Sequence, residues 1–238
     1  MSRAEELALR LSKVKARMAE ACARCGREPG SVRLVAVSKF HPASDILALA
    51  AAGQREFGES YVQEALAKQQ ELSGADILWH FVGGFQTKKA KAVAGRFVLI
   101  HSVDSEKLAH ELFRRTADAR VLQPVLLEVN MAGEEQKAGI PEDELDELAE
   151  TARSLRQGAL GLDVQGLMCL PPHFDAPELA RPFFARLKQL RDGLAERLDV
   201  PLPHLSMGMT GDFEAAIEEG ATIIRVGTSL FGPRPAHA

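Results

Sequence analysis

Short apolar runs with strand character alternate with helix-patterned segments along this chain, and that alternation leaves few folds open. The runs are Arg33-Leu-Val-Ala-Val-Ser-Lys39, Arg55–Glu59, Ile77–Val82, Phe97–Val103, Pro124–Asn130, Val164–Leu170, His204–Met207 and Thr222–Gly227. Between them the spacing predicts helices over 45–52, 61–72, 86–94, 105–119, 142–156, 177–198 and 212–219, so each strand but the last is followed by one. An amphipathic helix over 3–27, carrying Leu7, Leu9, Leu11, Val14 and Met18, precedes the first strand and stops at Gly26 and Pro29-Gly30. Eight such units in 238 residues predict an α/β fold, a single (β/α)8 TIM-type barrel with an extra N-terminal helix, as one domain over residues 1–238. A doubly wound open sheet competes, but no linker splits the chain and no G-x-G-x-x-G follows the first strand.

Charge and cysteine usage then exclude whole classes of partner. A formal net charge of −4 advertises neither nucleic acid nor an anionic membrane. No apolar run approaches the roughly 18 residues of a membrane span, and the charged N-terminus does not read as a signal peptide. Three cysteines make no disulfide framework, so a cytoplasmic location is expected. The Cys22-x-x-Cys25 pair falls near the end of a helix and without a second pair, which suits packing better than zinc or redox work. The seven histidines show no metal-ligand spacing, and no metal is expected.

In a barrel, chemistry collects at the carboxyl ends of the strands. Lys39 stands there on the first strand. It is either a charge that has left the core or an amine held in a pocket, able to attack a carbonyl. Arg225 interrupts the apolar run Ile223-Ile-Arg-Val226 and shares a face with Gly227. Its two readings are an internal salt bridge to a carboxylate such as Glu128, or a donor to a ligand's ring nitrogen or anion. After strand seven comes Ser206-Met-Gly-Met-Thr-Gly211, and strand eight ends in Gly227-Thr228-Ser229. These are the two loops where barrels build phosphate sites, and small residues there permit close backbone approach. Glu59, Ser60 and Tyr61 end the second strand within reach of such a pocket, while His80, His101 and His204 read as hydrogen-bonded core residues. An amine, a phosphate cradle and an arginine between them fit a ligand with an aldehyde, an aromatic ring and a phosphate. Pyridoxal 5′-phosphate (PLP) has that constitution.

Ordered blocks over nearly the whole length resemble the pyridoxal phosphate homeostasis proteins. They are Val35–Lys39, Phe57–Glu64, Trp79–Gly83 with Gln86, His101–Asp104, Glu128–Asn130 with Lys137–Gly139, Gly166–Met168, Leu205–Met209, and Arg225–Thr228 with Phe231-Gly232. The resemblance implies a barrel similar to the N-terminal domain of alanine racemase. It implies that Lys39 forms an aldimine with PLP and that Arg225 contacts the pyridine nitrogen. Ser206, the Met207-Gly208 backbone, Gly227 and Thr228 would take the phosphate. The chain departs from the family at Ser60, close to the cofactor, where an asparagine is usual, and in Phe85-Gln-Thr-Lys-Lys89, which lacks the family's asparagine.

Two functions compete for such a site. Two-base racemisation needs a second acid/base opposite the lysine. In alanine racemases this is a tyrosine reached across a dimer and completed by a further domain. Here the only tyrosine is Tyr61, and the last strand is followed by Phe231–Ala238. The expected function is therefore PLP buffering and delivery without turnover, with PLP and PLP-requiring apo-enzymes as partners and a monomeric state.

Overall fold

The computed structural model describes residues 1–133 and 138–233. Lys137 of the resemblance and the tail from Arg234 lie outside them. The strands are β1 (Arg33–Val37), β2 (Glu56–Glu59), β3 (Leu78–Phe81), β4 (Leu99–Val103), β5 (Leu122–Val129), β6 (Arg156–Gln157), β7 (Leu160–Cys169), β8 (His204–Ser206) and β9 (Ile223–Val226). The helices are α1 (Arg3–Arg24), α2 (Ala43–Ala51), α3 (Val62–Glu71), α4 (Ala90–Val93), α5 (Glu106–Ala119), α6 (Leu145–Ser154), α7 (Arg181–Leu198), α8 (Phe213–Glu218) and α9 (Thr228–Phe231).

All strands except β6 pair in parallel, in the cyclic order β1-β2-β3-β4-β5-β7-β8-β9-β1. The β5–β7 pairing closes the ring, and the chain folds as the (β/α)8 barrel that its alternation predicts. Alternation along the strands separates two apolar layers. Val35, Val82, Leu99, Leu126, Met168 and Ile223 pack together in the barrel interior, while a larger set lies between strands and helices.

The observed elements depart from the expected ones for local reasons. Strand β7 starts at Leu160 rather than Val164, because Gln157 pairs antiparallel with Leu160 and the resulting hairpin extends the strand backward. The helix expected over 86–94 is a 3₁₀ turn, Thr87–Lys89, followed by the single turn α4. The last strand is followed by a helix after all, but α9 has only four residues. The position that a full helix would occupy beside β9 and β1 is filled by α1. That helix buries Leu7, Leu11, Val14, Met18, Ala21 and Cys22 and packs on α2, α8 and α9. Ser2 and Glu5 form a reciprocal capping box at its start. At the same end the Arg3 guanidinium donates to the Phe231 carbonyl (2.7 Å) and to Asp45 (2.6 Å), so the first helix is tied to the segment after the last strand.

Candidate functional site

Lys39 lies two residues past β1, half-buried in the turn that follows the strand whose Val35 and Val37 face the barrel interior. The turn that presents it is held from behind. Phe40 adopts a left-handed backbone (φ 67°), uncommon for a bulky residue. Its N–H donates to Glu64 Oε1 at 2.6 Å. The buried Lys68 ammonium donates to the Ser38 carbonyl, to Glu59 Oε1 and to Glu64 Oε1, each at 2.7 Å. The Ser38 hydroxyl also donates to Glu59 Oε1 at 2.7 Å. Glu59 therefore points outward toward α3 rather than into the barrel mouth, a correction to its expected reach. Burial pushes its carboxyl above the ordinary range, against the opposing pull of Lys68. Ser60 follows at the end of β2 and abuts β3: a Cβ on Gly83 would fall 2.6 Å from Ser60 Cα. That glycine permits the close approach.

Arg225 is 4% exposed and projects from β9 into the barrel, its residue in register with Val35 of β1. Among the described residues no carboxylate lies within ion-pair distance of it, so the salt bridge to Glu128 does not form. Instead Nη1 donates to Ser206 Oγ (2.5 Å) and Nη2 to the Cys169 carbonyl (2.9 Å). Ser206 Oγ also lies 2.8 Å from His101 Nδ1, His101 Nε2 lies 3.0 Å from His80 Nδ1, and His80 Nε2 lies 3.2 Å from Glu56 Oε2. A polar file thus crosses the barrel from Arg225 to Glu56, which Arg33 pairs at 2.9 Å. Burial holds both imidazoles below the ordinary histidine range, His101 well below it. Burial also raises the Glu56 carboxyl, but its bonds to His80 and Arg33 outweigh that and lower it overall.

The loops after β8 and β9 are stitched together. Arg225 N–H donates to the Gly208 carbonyl (3.0 Å), and Ser229 N–H donates to Thr210 Oγ1 (3.3 Å). Gly208 has φ 91°, and a Cβ there would lie 2.5 Å from Ala216 Cβ. Gly227 is half-buried beside the Val37 carbonyl, and Thr228 is exposed at the mouth. Glu128, 2% exposed on β5, leaves Oε2 without a hydrogen-bond partner, and burial with the nearby Asp104 charge raises its carboxyl to about 7.

The carboxyl ends of β1, β2, β8 and β9 thus carry Lys39, Ser60, Ser206, Met207, Gly208, Arg225, Gly227 and Thr228 on one side of the barrel. Within that group the Ser206 hydroxyl is already engaged by Arg225 and His101, and the Met207 N–H by the Ile223 carbonyl (3.1 Å). The constellation suits a ligand with an anionic end and a ring-nitrogen acceptor: a buried guanidinium with hydrogens to spare, and small residues lining the adjacent loops. Sequence reasoning treated His80 and His101 as separate core residues and missed their alignment with Ser206. It also missed Lys68, which a helical surface pattern conceals. Among the described residues no group of three acidic, histidine or cysteine side chains is placed to hold a metal ion.

The alanine racemase N-terminal domain family model matches residues 9–235. The pyridoxal phosphate homeostasis protein of Aquifex aeolicus is 46% identical over 225 residues, covering 94% of this chain and 97% of that protein. PipY of Synechococcus elongatus, solved with PLP bound, superposes with a TM-score of 0.84 at 37% identity, covering 95% of this chain and all of PipY. Alanine racemase from Corynebacterium glutamicum shares the fold alone (TM-score 0.73, 16% identity), this chain spanning 62% of it. The chain belongs to the alanine racemase N-terminal domain family, among its pyridoxal phosphate homeostasis proteins.

Proposed function

We propose that this protein binds PLP at the carboxyl ends of β1, β2, β8 and β9 and serves intracellular PLP homeostasis by buffering and delivery. The observation that carries the reading is Arg225, a buried guanidinium with no carboxylate within ion-pair distance among the described residues, on the strand beside the one that presents Lys39. A buried cation without a counter-ion is costly unless a ligand completes its bonding. PLP offers a ring nitrogen as acceptor and a phosphate as anion.

In this reading Lys39 supplies the amine that takes the aldehyde, and Arg225 donates toward the pyridine nitrogen. Gly208, Gly227 and Thr228 line the phosphate position with the Met207–Gly208 backbone. Ser206 acts through Arg225, since its hydroxyl is spent there, and Ser60 flanks the ring where an asparagine is usual in the family. When bound, PLP supplies a reversible covalent linkage to an amine, which protects a reactive aldehyde and leaves it transferable.

Turnover is not part of the proposal. A full cation opposite the pyridine nitrogen disfavours its protonation and weakens the electron sink on which amino acid chemistry relies. Tyr61, half-exposed and in ring contact with Phe40 at 5.1 Å, sits on the outer turn. The working form is a monomeric single domain that hands PLP to apo-enzymes. No helix among the described residues is long and apolar enough to cross a membrane, and the three thiols are unpaired, which favours the cytoplasm.

The test is the visible spectrum of the purified protein before and after borohydride, beside Lys39→Ala. A band that reduction fixes to the Lys39 peptide, and that Lys39→Ala lacks, is expected. Protein that stays colourless with added PLP refutes the binding, and turnover of an amino acid at an ordinary enzymatic rate refutes the carrier role.

A further inference from the structure

The file from Arg225 to Glu56 has one direction that uses the Ser206 hydroxyl hydrogen. Arginine donates and cannot accept, so Ser206 Oγ must accept from Nη1. The single hydroxyl hydrogen is then free for His101 Nδ1, 2.8 Å away, which must be bare. His101 consequently carries its hydrogen on Nε2 and donates it to His80 Nδ1. His80 is left with its hydrogen on Nε2, facing the Glu56 carboxylate, which only accepts when ionised. Reversing the file would leave the Ser206 hydroxyl hydrogen without an acceptor among the described residues and turn a bare His80 nitrogen toward a carboxylate oxygen. The Arg225 end sets this order, and the 3.2 Å approach of His80 Nε2 to Glu56, too poorly aligned for a hydrogen bond, agrees with it.

We propose that Ser206, His101 and His80 are positioning residues, a one-way relay that fixes both imidazoles as neutral Nε2–H tautomers and holds Arg225 in place as a buried cation with no carboxylate at ion-pair distance. The proposal rests on the PLP reading above only for what the pocket contains.

The charges around the file agree with neutral rings. Arg33 from β1 and Arg225 from β9 stand at its two ends, His204 from β8 lies alongside, and Glu56 from β2 is the one carboxylate in contact with it. Glu128 from β5 and Asp212, just before α8, interact with Arg225 through space and touch neither ring. A third positive charge on either imidazole would face two guanidiniums. The relay thus spends no negative charge on Arg225. Its neighbour is a neutral hydroxyl, and three neutral groups separate it from Glu56, the ionised group at the other end of the file. A carboxylate in the place of Ser206 would cancel the cation. The serine leaves it whole.

The first experiment needs no variant and no cofactor: histidine-selective ¹⁵N NMR of the PLP-free protein at pH 7. Both His80 and His101 are expected as neutral Nε2–H rings. An Nδ1–H tautomer or an imidazolium at either position overturns the relay. The second titrates PLP into Ser206→Ala, Ser206→Thr and, as a surface control, His110→Gln. Losing one charge-assisted hydrogen bond should weaken binding about tenfold in Ser206→Ala and shift the visible band, with recovery in Ser206→Thr and no change in the control. Wild-type affinity and band in Ser206→Ala, or no recovery with threonine, refute it. Wild-type protein that binds no PLP sinks the functional reading instead, and the tautomer result stands apart from it.

Discussion

Glu128 shows how a single side chain reports on this pocket. Its carboxyl is raised from the ordinary 4.5 to about 7 by burial and by Asp104. A carboxyl raised on folding leaves stability intact below the unfolded pKa and costs stability as pH rises through the folded one. The penalty therefore grows between about pH 4.5 and 7 and approaches ~3 kcal/mol above it. Glu128→Gln should be more stable than wild type by an amount of that order at pH 8 and nearly equal at pH 4.5, measured by urea unfolding of PLP-free protein. Gly208→Ala should do the opposite at all pH values. The methyl group meets Ala216 Cβ and a φ of 91°, and a loss of ~2–4 kcal/mol is expected, with weaker PLP binding read by titration. Lys39 and Arg225 were legible in the sequence because a charge stands out in an apolar run. The partners of Ser206 were not, since His101 lies 105 residues away and nothing local marks the contact.

At the level of elements, the alternation of strand and helix was readable because burial imposes period two on one and 3.6 on the other. Their ends were less so. The turn after β1 depends on α3: Lys68 and Glu64, one helical turn apart, reach across to the Ser38 carbonyl and the Phe40 N–H. Neither charge announces this, because a lysine four residues after a glutamate usually marks an exposed helix face. Lys68→Met should be destabilising by ~3–5 kcal/mol at pH 8, because it leaves Glu59 buried with no cation. The loss should shrink toward pH 4, where the carboxyl takes a proton. Urea midpoints at the two pH values test it. Slower reaction of PLP with Lys39 should accompany it even where the variant is folded, since the amine loses its fixed approach.

Across the whole molecule, the barrel and its eight-unit count followed from the pattern, whereas the role of α1 did not. A leading amphipathic helix reads the same whether it caps a barrel or stands in its outer ring. Its apolar stripe joins the common core between strands and helices, so Leu11→Ala should cost ~2–5 kcal/mol in a single cooperative transition. Coincident fluorescence and circular dichroism unfolding curves would show this. PLP affinity under native conditions should move little, because no α1 side chain is among the site residues.

The tie between Arg3 and the Phe231 carbonyl sets a schedule for biosynthesis. The ribosome releases α1 well before α8 and α9, which form part of the groove that receives it. Until then the helix leaves the exit tunnel with its stripe of Leu7, Leu11, Val14 and Met18 uncovered. A nascent chain of this order carries its own unfinished seam until α8 and α9 emerge, and a chaperone that reads exposed apolar helices would find its binding site on α1 in that interval.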